Sequence, residues 1–125
     1  MSDHRLGIIL VEDDASLRRA IHRMLEAAGY SITPHASAEA LLEAGIDRVK
    51  QSACLVFDIG LPGMSGLDLC RTLMEKSPCP PCILITGNDT PGLHSLAEDA
   101  GAHSCLLKPF SGTALLDAVK QAIPL

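Results

Sequence analysis

Asp58 closes the apolar run Ala53-Cys54-Leu55-Val56-Phe57, and a second apolar run, Gly7 to Val11, stops on Glu12-Asp13-Asp14. Two further apolar runs end on chemistry: Cys82 to Ile85 on Thr86-Gly87, and Ser104 to Leu107 on Lys108-Pro109. Acids, a hydroxyl and an ammonium at the ends of four apolar runs suit phosphoryl transfer to a carboxylate. Asp58 would be the nucleophile, forming an aspartyl phosphate. Glu12, Asp13 and Asp58 offer hard oxygen ligands for Mg2+, with Mn2+ as an alternative. Carboxylates about 4 Å apart repel by roughly 4 kcal/mol at an effective dielectric near 20, so such a cluster holds either protons or a cation. Lys108 would supply a compact positive charge and Thr86 a hydroxyl donor to the phosphoryl oxygens, while Gly87 leaves room beside Asp58.

For these groups to meet, the runs must be neighbouring strands pointing the same way. Short continuous apolar runs bounded by turn signals are read as strands buried on both faces. The pattern alternates strand and helix five times. Asp14 caps a helix with apolar residues at Leu17, Ile21, Met24, Leu25 and Ala28, ended by Gly29, with Arg18, Arg19, His22 and Arg23 mostly on the other face. Ser31 to His35 is a short strand whose Pro34 places it at an edge. Ser37 caps a helix to about Ala44, and further helices are predicted for Gly66 to Lys76, Gly92 to Ala100 and Ser111 to about Ile123. Alternation of this kind implies right-handed crossovers and an α/β fold, with a central parallel sheet covered on both faces. Open sheets of that type bind ligands at the carboxyl ends of their strands, where the acids, Thr86 and Lys108 would gather.

The composition narrows the alternatives. The chain has 125 residues, enough for one compact domain spanning 1–125, with 47% hydrophobic residues and Tyr30, Phe57 and Phe110 as its aromatics. Its core must be aliphatic. A net charge of −5 without a Lys/Arg-rich run argues against a nucleic-acid surface. No apolar stretch approaches the ~20 residues of a membrane span, and the amino terminus makes a poor signal peptide, so a cytoplasmic protein without membrane association is expected. The five cysteines, at 54, 70, 79, 82 and 105, are then reduced thiols.

Taken together and in order, the motifs resemble a bacterial two-component response-regulator receiver domain over essentially the whole chain. The residues carrying the resemblance are Leu10-Val11-Glu12-Asp13-Asp14, Asp58-Ile59-Gly60-Leu61-Pro62-Gly63-Met64-Ser65-Gly66, Ile83-Leu84-Ile85-Thr86-Gly87, and Gly101-Ala102 leading to Leu107-Lys108-Pro109-Phe110. The resemblance implies a flavodoxin-like, doubly wound five-stranded parallel sheet in the order 2-1-3-4-5, with five helices. It implies phosphorylation at Asp58, metal ligation by Glu12, Asp13, Asp58 and the backbone carbonyl of Gly60, and a phosphate-reading pair at Thr86 and Lys108. The donor in that family is a phosphohistidine on a sensor histidine kinase or phosphotransfer protein, the Lys-Pro bond is usually cis, and Pro62 and Gly66 shape the loop after the acceptor. Such a domain phosphorylates itself and is a signalling module rather than an enzyme on external substrates, although autophosphatase activity is compatible with it. The switch surface would comprise the helix Gly92 to Ala100, the strand Ser104 to Leu107 and the last helix.

One position departs from the family. Members usually carry Tyr or Phe three residues before the Lys, where the ring moves inward when Thr moves toward the phosphate; here it is Cys105. A thiol is too small to act as that rotor, so output must rely more on the segment Asn88 to Pro91 and the helix after it.

Other functions have weaker support. An aspartate-nucleophile phosphatase would carry a second Asp two residues after the nucleophile, where this chain has Gly60. A partner-binding pseudo-receiver would lack phosphorylation residues that are present here. Cys79-Pro80-Pro81-Cys82 has the Cys-x-x-Cys spacing of thiol oxidoreductases but precedes a strand, whereas those motifs open a helix whose terminus acidifies the thiol. Asp14 is read as a cap rather than a ligand, and Asp68 and Asp89 as solvated acids. The domain is expected either to stand alone or to be a fragment of a longer regulator with a fused output domain or a homodimer partner. The Leu-Pro-Gly-Met-Ser-Gly-Leu run is similar to that of receivers preceding helix-turn-helix domains, which favours the fragment.

Overall fold

The computed structural model describes residues 5–76, 78–88 and 90–123. The strands are β1 (Gly7–Val11), β2 (Ser31–His35), β3 (Cys54–Asp58), β4 (Cys82–Thr86) and β5 (Ser104–Leu107). They form one parallel sheet in the order β2-β1-β3-β4-β5. The helices are α1 (Ala15–Ala27), α2 (Ala38–Ala44), α3 (Ile46–Gln51), α4 (Gly66–Met74), α5 (Leu93–Asp99) and α6 (Gly112–Ala122).

Successive strand residues point to opposite faces, and helices cover both, so the central strands β1, β3 and β4 are near-continuous apolar runs rather than alternating ones. Ile9, Val11, Leu55, Phe57 and Leu84 face one layer, where α2 to α5 contribute Leu41, Val49, Leu69, Leu73 and Ala97. Ile8, Leu10, Val56, Ile83 and Ile85 face the other, against Ile21 and Leu25 of α1 and Leu115 and Val119 of α6. Each fully buried Leu, Ile or Phe side chain stabilises the fold by about 1.5–3 kcal/mol. The outer strands are less covered, and Pro34 lies on the edge strand β2, as its missing amide hydrogen requires.

Helix starts follow the sequence signals. Asp14, Ser37, Ser65 and Ser111 each accept backbone amides of the first turn of the helix they precede. The expectation of five helices is corrected to six. The additional one, α3, is six residues long and starts at Gly45, which offers no capping side chain. Its apolar residues Ile46 and Val49 pack into the core, so tertiary packing forms a helix that local signals do not announce. Among the described residues, no helix is long and apolar enough to cross a membrane.

Candidate functional site

Strand register brings the acids together. Val11 lies beside Phe57 across β1 and β3, so Glu12 and Asp58, one residue further along, reach the same sheet edge. On the other side of β3, Asp58 lies beside Ile85 and Thr86 beside Leu107, which carries Lys108 to the same edge. Carboxylate oxygens of Glu12, Asp13 and Asp58 lie within 4.8 Å of one another. Glu12 and Asp58 are buried, at 1% and 6% exposure, while Asp13 is open to water.

Lys108 joins this cluster from β5, its Nζ 3.1 Å from Glu12 Oε1 and 3.4 Å from Asp58 Oδ2. The approach to Glu12 Oε1 is close but poorly aligned, leaving that buried oxygen without a well-formed hydrogen bond. Burial is the main cause that pushes the Glu12 carboxyl up to about 7, and the charge of Asp58 adds to it; the Asp14 amide and Lys108 oppose it only in part. For Lys108, burial favours the neutral form, but the contacts with Glu12 and Asp58 win and raise its pKa above the usual lysine value. A buried carboxylate oxygen short of partners, next to two more carboxylates and an exposed mouth, fits a hard divalent cation.

The surrounding backbone is held by groups that the motifs do not announce. Arg18 donates from its Nη1 to the Glu12 carbonyl at 2.8 Å, so it does not simply face solvent with the other basic residues of α1. Its only sequence signal is position, because helical side chains lean back toward the helix amino terminus. The Glu12 amide donates to the His35 carbonyl at 3.1 Å. After Asp58, the Gly60 amide donates to Asp58 Oδ1 at 3.3 Å. The Met64 amide donates to Glu39 Oε2 at 2.9 Å, tying α2 to the loop after the acceptor. That amide draws the Glu39 carboxyl below its ordinary pKa. Twenty-five residues separate Glu39 from Met64, and no local pattern marks the pair.

Two glycines in this loop have a specific reason. A Cβ on Gly66 would run into the Asp58 carbonyl oxygen and lie 2.7 Å from its carbon, so only glycine lets α4 start against the acceptor strand. Gly63 has φ +74°, and a Cβ there would come within 2.7 Å of Glu39 Oε2. Gly87, by contrast, has nothing within 4 Å of the place where its Cβ would be. It therefore borders free space and is not required by close packing of the protein.

Not every expected residue meets Asp58. The Thr86 hydroxyl is buried but engaged with Asn88, accepting from its amide at 3.1 Å and donating to its carbonyl at 3.2 Å. Cys105 is partly buried among the side chains between the sheet and α5, away from the acids. Asp14 caps α1, and Asp68 is exposed and paired with Arg71, as expected; Asp89 lies outside the described residues. The Lys108–Pro109 bond is cis. Beside Lys108 opens a cleft of about 660 Å3, lined by Asp14, Ser16, Leu17, Gly87, Lys108, Pro109 and Phe110.

A family model described as the response regulator receiver domain matches residues 8–120. The transcriptional regulatory protein FixJ of Azorhizobium caulinodans is 33% identical over 118 residues, covering 94% of this chain and 55% of that protein. The C4-dicarboxylate transport transcriptional regulatory protein DctD of Pseudomonas aeruginosa is 36% identical over 121 residues, covering 97% of this chain and 26% of that protein. The chain thus spans about half the length, or less, of these regulators. Among solved structures, FixJ-N superposes with a TM-score of 0.83 at 33% identity, covering 98% of this chain and 94% of that one. The response regulator StyR superposes with a TM-score of 0.84 at 37% identity, covering 95% and 59%.

Proposed function

The chain belongs to the response-regulator receiver family, and from that premise we propose that Asp58 accepts a phosphoryl group from the phosphohistidine of a sensor histidine kinase or phosphotransfer protein. The observation that carries this reading is the convergence of Glu12, Asp13 and Asp58 within 4.8 Å, with the Lys108 ammonium on two of them. Mg2+, or Mn2+ in its place, would be held by Glu12, Asp13, Asp58 and the Gly60 carbonyl, and when bound it offsets negative charge on the phosphoryl group.

The chain's own residues do the rest. An Asp58 carboxylate oxygen attacks phosphorus, the new O–P bond forms and the P–N bond to the donor imidazole breaks. Lys108 stays charged and neutralises a phosphoryl oxygen. Glu12 must give up its proton for the site to take a cation. The cleft beside Lys108, with Leu17, Pro109 and Phe110 on its walls, offers an apolar seat next to the acceptor for the donor protein. Once a phosphoryl group occupies Asp58, the Thr86 hydroxyl exchanges its Asn88 contacts for a phosphoryl oxygen, biasing the segment that leads into α5. The outcome is read on the surface of α5, β5 and α6, by a fused output domain or a second copy. With Cys105 at the usual aromatic position, movement of the Thr86–Asn88 segment carries more of the signal. Gly60, where an acid/base Asp would stand in a phosphatase of external substrates, supports a self-phosphorylating signalling domain instead.

Incubation with acetyl phosphate and Mg2+, followed by intact mass spectrometry, tests the reading. A gain of about 80 Da, one phosphoryl group, is expected in the unmutated chain and not in Asp58→Ala. No gain in the unmutated chain, or an equal gain in Asp58→Ala, overturns it.

A further inference from the structure

A circuit of contacts borders the acidic edge on the side of β1 and β2. The Glu12 amide donates to the His35 carbonyl at 3.1 Å, and just beyond it Ser37 caps α2 by accepting the Ala40 amide. Glu39, in the first turn of that helix, reaches across to accept the Met64 amide at 2.9 Å. From Met64 the loop runs back through Gly63, Pro62 and the buried Leu61 to Gly60, whose amide donates to Asp58 Oδ1 at 3.3 Å. The circuit therefore starts and ends on Glu12 and Asp58, two members of the acidic cluster.

The loop is shaped to receive Glu39. Gly63 has φ +74°, and a Cβ there would come within 2.7 Å of Glu39 Oε2 and 3.5 Å of Oε1. The carboxylate thus lies over a position where only glycine leaves room, and Met64 presents its amide beside it. At one end the loop is anchored by Asp58 and by burial of Leu61, and at the other by the Gly66 amide on the Ile59 carbonyl at 3.1 Å. Between these anchors, Glu39 holds the turn at Gly63 and Met64 from outside the loop. Glu39 is exposed to water, so its charge is screened, and what it offers is a directed acceptor.

We propose that Glu39 is a positioning residue for the cation: by holding the turn 60–64 against α2, it fixes the Gly60 carbonyl in the direction of the acidic cluster. The inference rests on the receiver reading, in which that carbonyl is the backbone ligand. Glu39 touches neither the cation nor the phosphoryl group and acts through the backbone between Met64 and Gly60. A loose turn would have to be ordered as the cation binds, and the entropy lost would subtract from affinity. A turn already held in the metal-free chain avoids that loss.

A purely local role for Glu39 has a different signature. A carboxylate in the first turn of α2 favours the helix through its dipole, whatever else it touches. That role changes stability and leaves cation affinity as it was.

Calorimetric titration of the full chain with MgCl2 near pH 8, where Glu12 is ionised, tests the proposal together with amide exchange of the metal-free chain followed by NMR. Two variants separate the hydrogen bond from the charge: Glu39→Gln keeps an acceptor oxygen for Met64 and loses the charge, whereas Glu39→Ala loses both. Mg2+ binding should be about three- to tenfold weaker in Glu39→Ala, the reach of one net hydrogen bond, and within about twofold of the unmutated chain in Glu39→Gln. The Met64 amide should exchange faster in metal-free Glu39→Ala and not in Glu39→Gln. With acetyl phosphate, Glu39→Ala should require more Mg2+ for half-maximal phosphorylation and reach the same maximal rate at saturation. Equal weakening in both variants assigns the effect to charge and overturns the proposal. Unchanged Mg2+ affinity in Glu39→Ala, whatever happens to stability, overturns it as well. An unmutated chain that neither binds Mg2+ nor is phosphorylated defeats the receiver reading and this inference with it. Binding and phosphorylation in the unmutated chain, with both variants unaltered, defeat this inference alone.

Discussion

β3 and β4 each begin on a buried thiol and end on a buried polar group: Cys54 and Asp58 on one, Cys82 and Thr86 on the other. Burial raises the pKa at both ends, but the groups that accompany it differ. At the amino end, burial drives the Cys54 thiol up to about 12, and the neutral sulfur packs as a small hydrophobe with its S–H on the Leu55 carbonyl 3.7 Å away. At the carboxyl end, burial pushes Glu12 only to about 7, and Lys108 is drawn in to face the acids. A neutral thiol is cheap to enclose, whereas a carboxylate requires a cation, a proton or water. Strand ends of equal burial thus support soft, proton-holding chemistry at one edge and hard, cation-seeking chemistry at the other.

The largest effect comes from moving a carboxylate between the two ends. Cys54→Asp puts an acid where the acidic edge's partners do not reach, and should cost about 3–5 kcal/mol by denaturant unfolding at neutral pH, as an uncompensated buried charge does. A cost below about 1 kcal/mol would mean that the two ends are not different environments.

The next effect sharpens the account of the carboxyl end. Folded Glu12 is held at about 7, above its ordinary 4.5, so between those values the folded chain carries a proton that the unfolded chain does not. A ligating cation must expel it. Mg2+ affinity measured by calorimetry should therefore rise with pH by about tenfold per unit below 7 and level off above. The same proton sets the sign for the metal-free chain: Glu12 stabilises it fully below about 4.5 and loses that contribution as pH rises through about 7. Glu12→Gln should bind Mg2+ at least about tenfold more weakly and lose the pH slope, while metal-free stability near pH 8 stays the same or increases. An unaltered slope in Glu12→Gln would assign the titration to another group.

The smallest effect is a control outside both ends. Asp68 and Arg71 pair at 3.3 Å on the exposed face of α4. Asp68→Asn should change stability by only about 0.2–0.5 kcal/mol, and less at high salt. A larger effect would show that acids matter here wherever they stand, rather than where they are buried.

Much of this was legible in the linear chain. Apolar runs marked four of the strands, Pro34 placed the fifth, β2, at an edge, and Asp14, Ser37 and Ser111 stand where helices begin. The residue types of the candidate site were also visible, because each sits directly after an apolar run. Less visible was α3, which is only six residues long and has no capping side chain at its start. The Arg18 and Glu39 contacts were invisible, since both depend on how separate elements dock.

By itself, the sequence determined which chemistry is available and at which strand end, because strand period and turn residues act over a few neighbours. The tertiary structure alone decided which groups meet: Lys108 with Glu12 and Asp58, Glu39 with Met64, Cys70 with the Ala100 carbonyl. These partners lie far apart along the chain, and no local pattern encodes a contact made only when the sheet closes and its helices pack. Sheet register sets the acids side by side, and the docking of α2 against the loop after Asp58 brings Glu39 onto the Met64 amide.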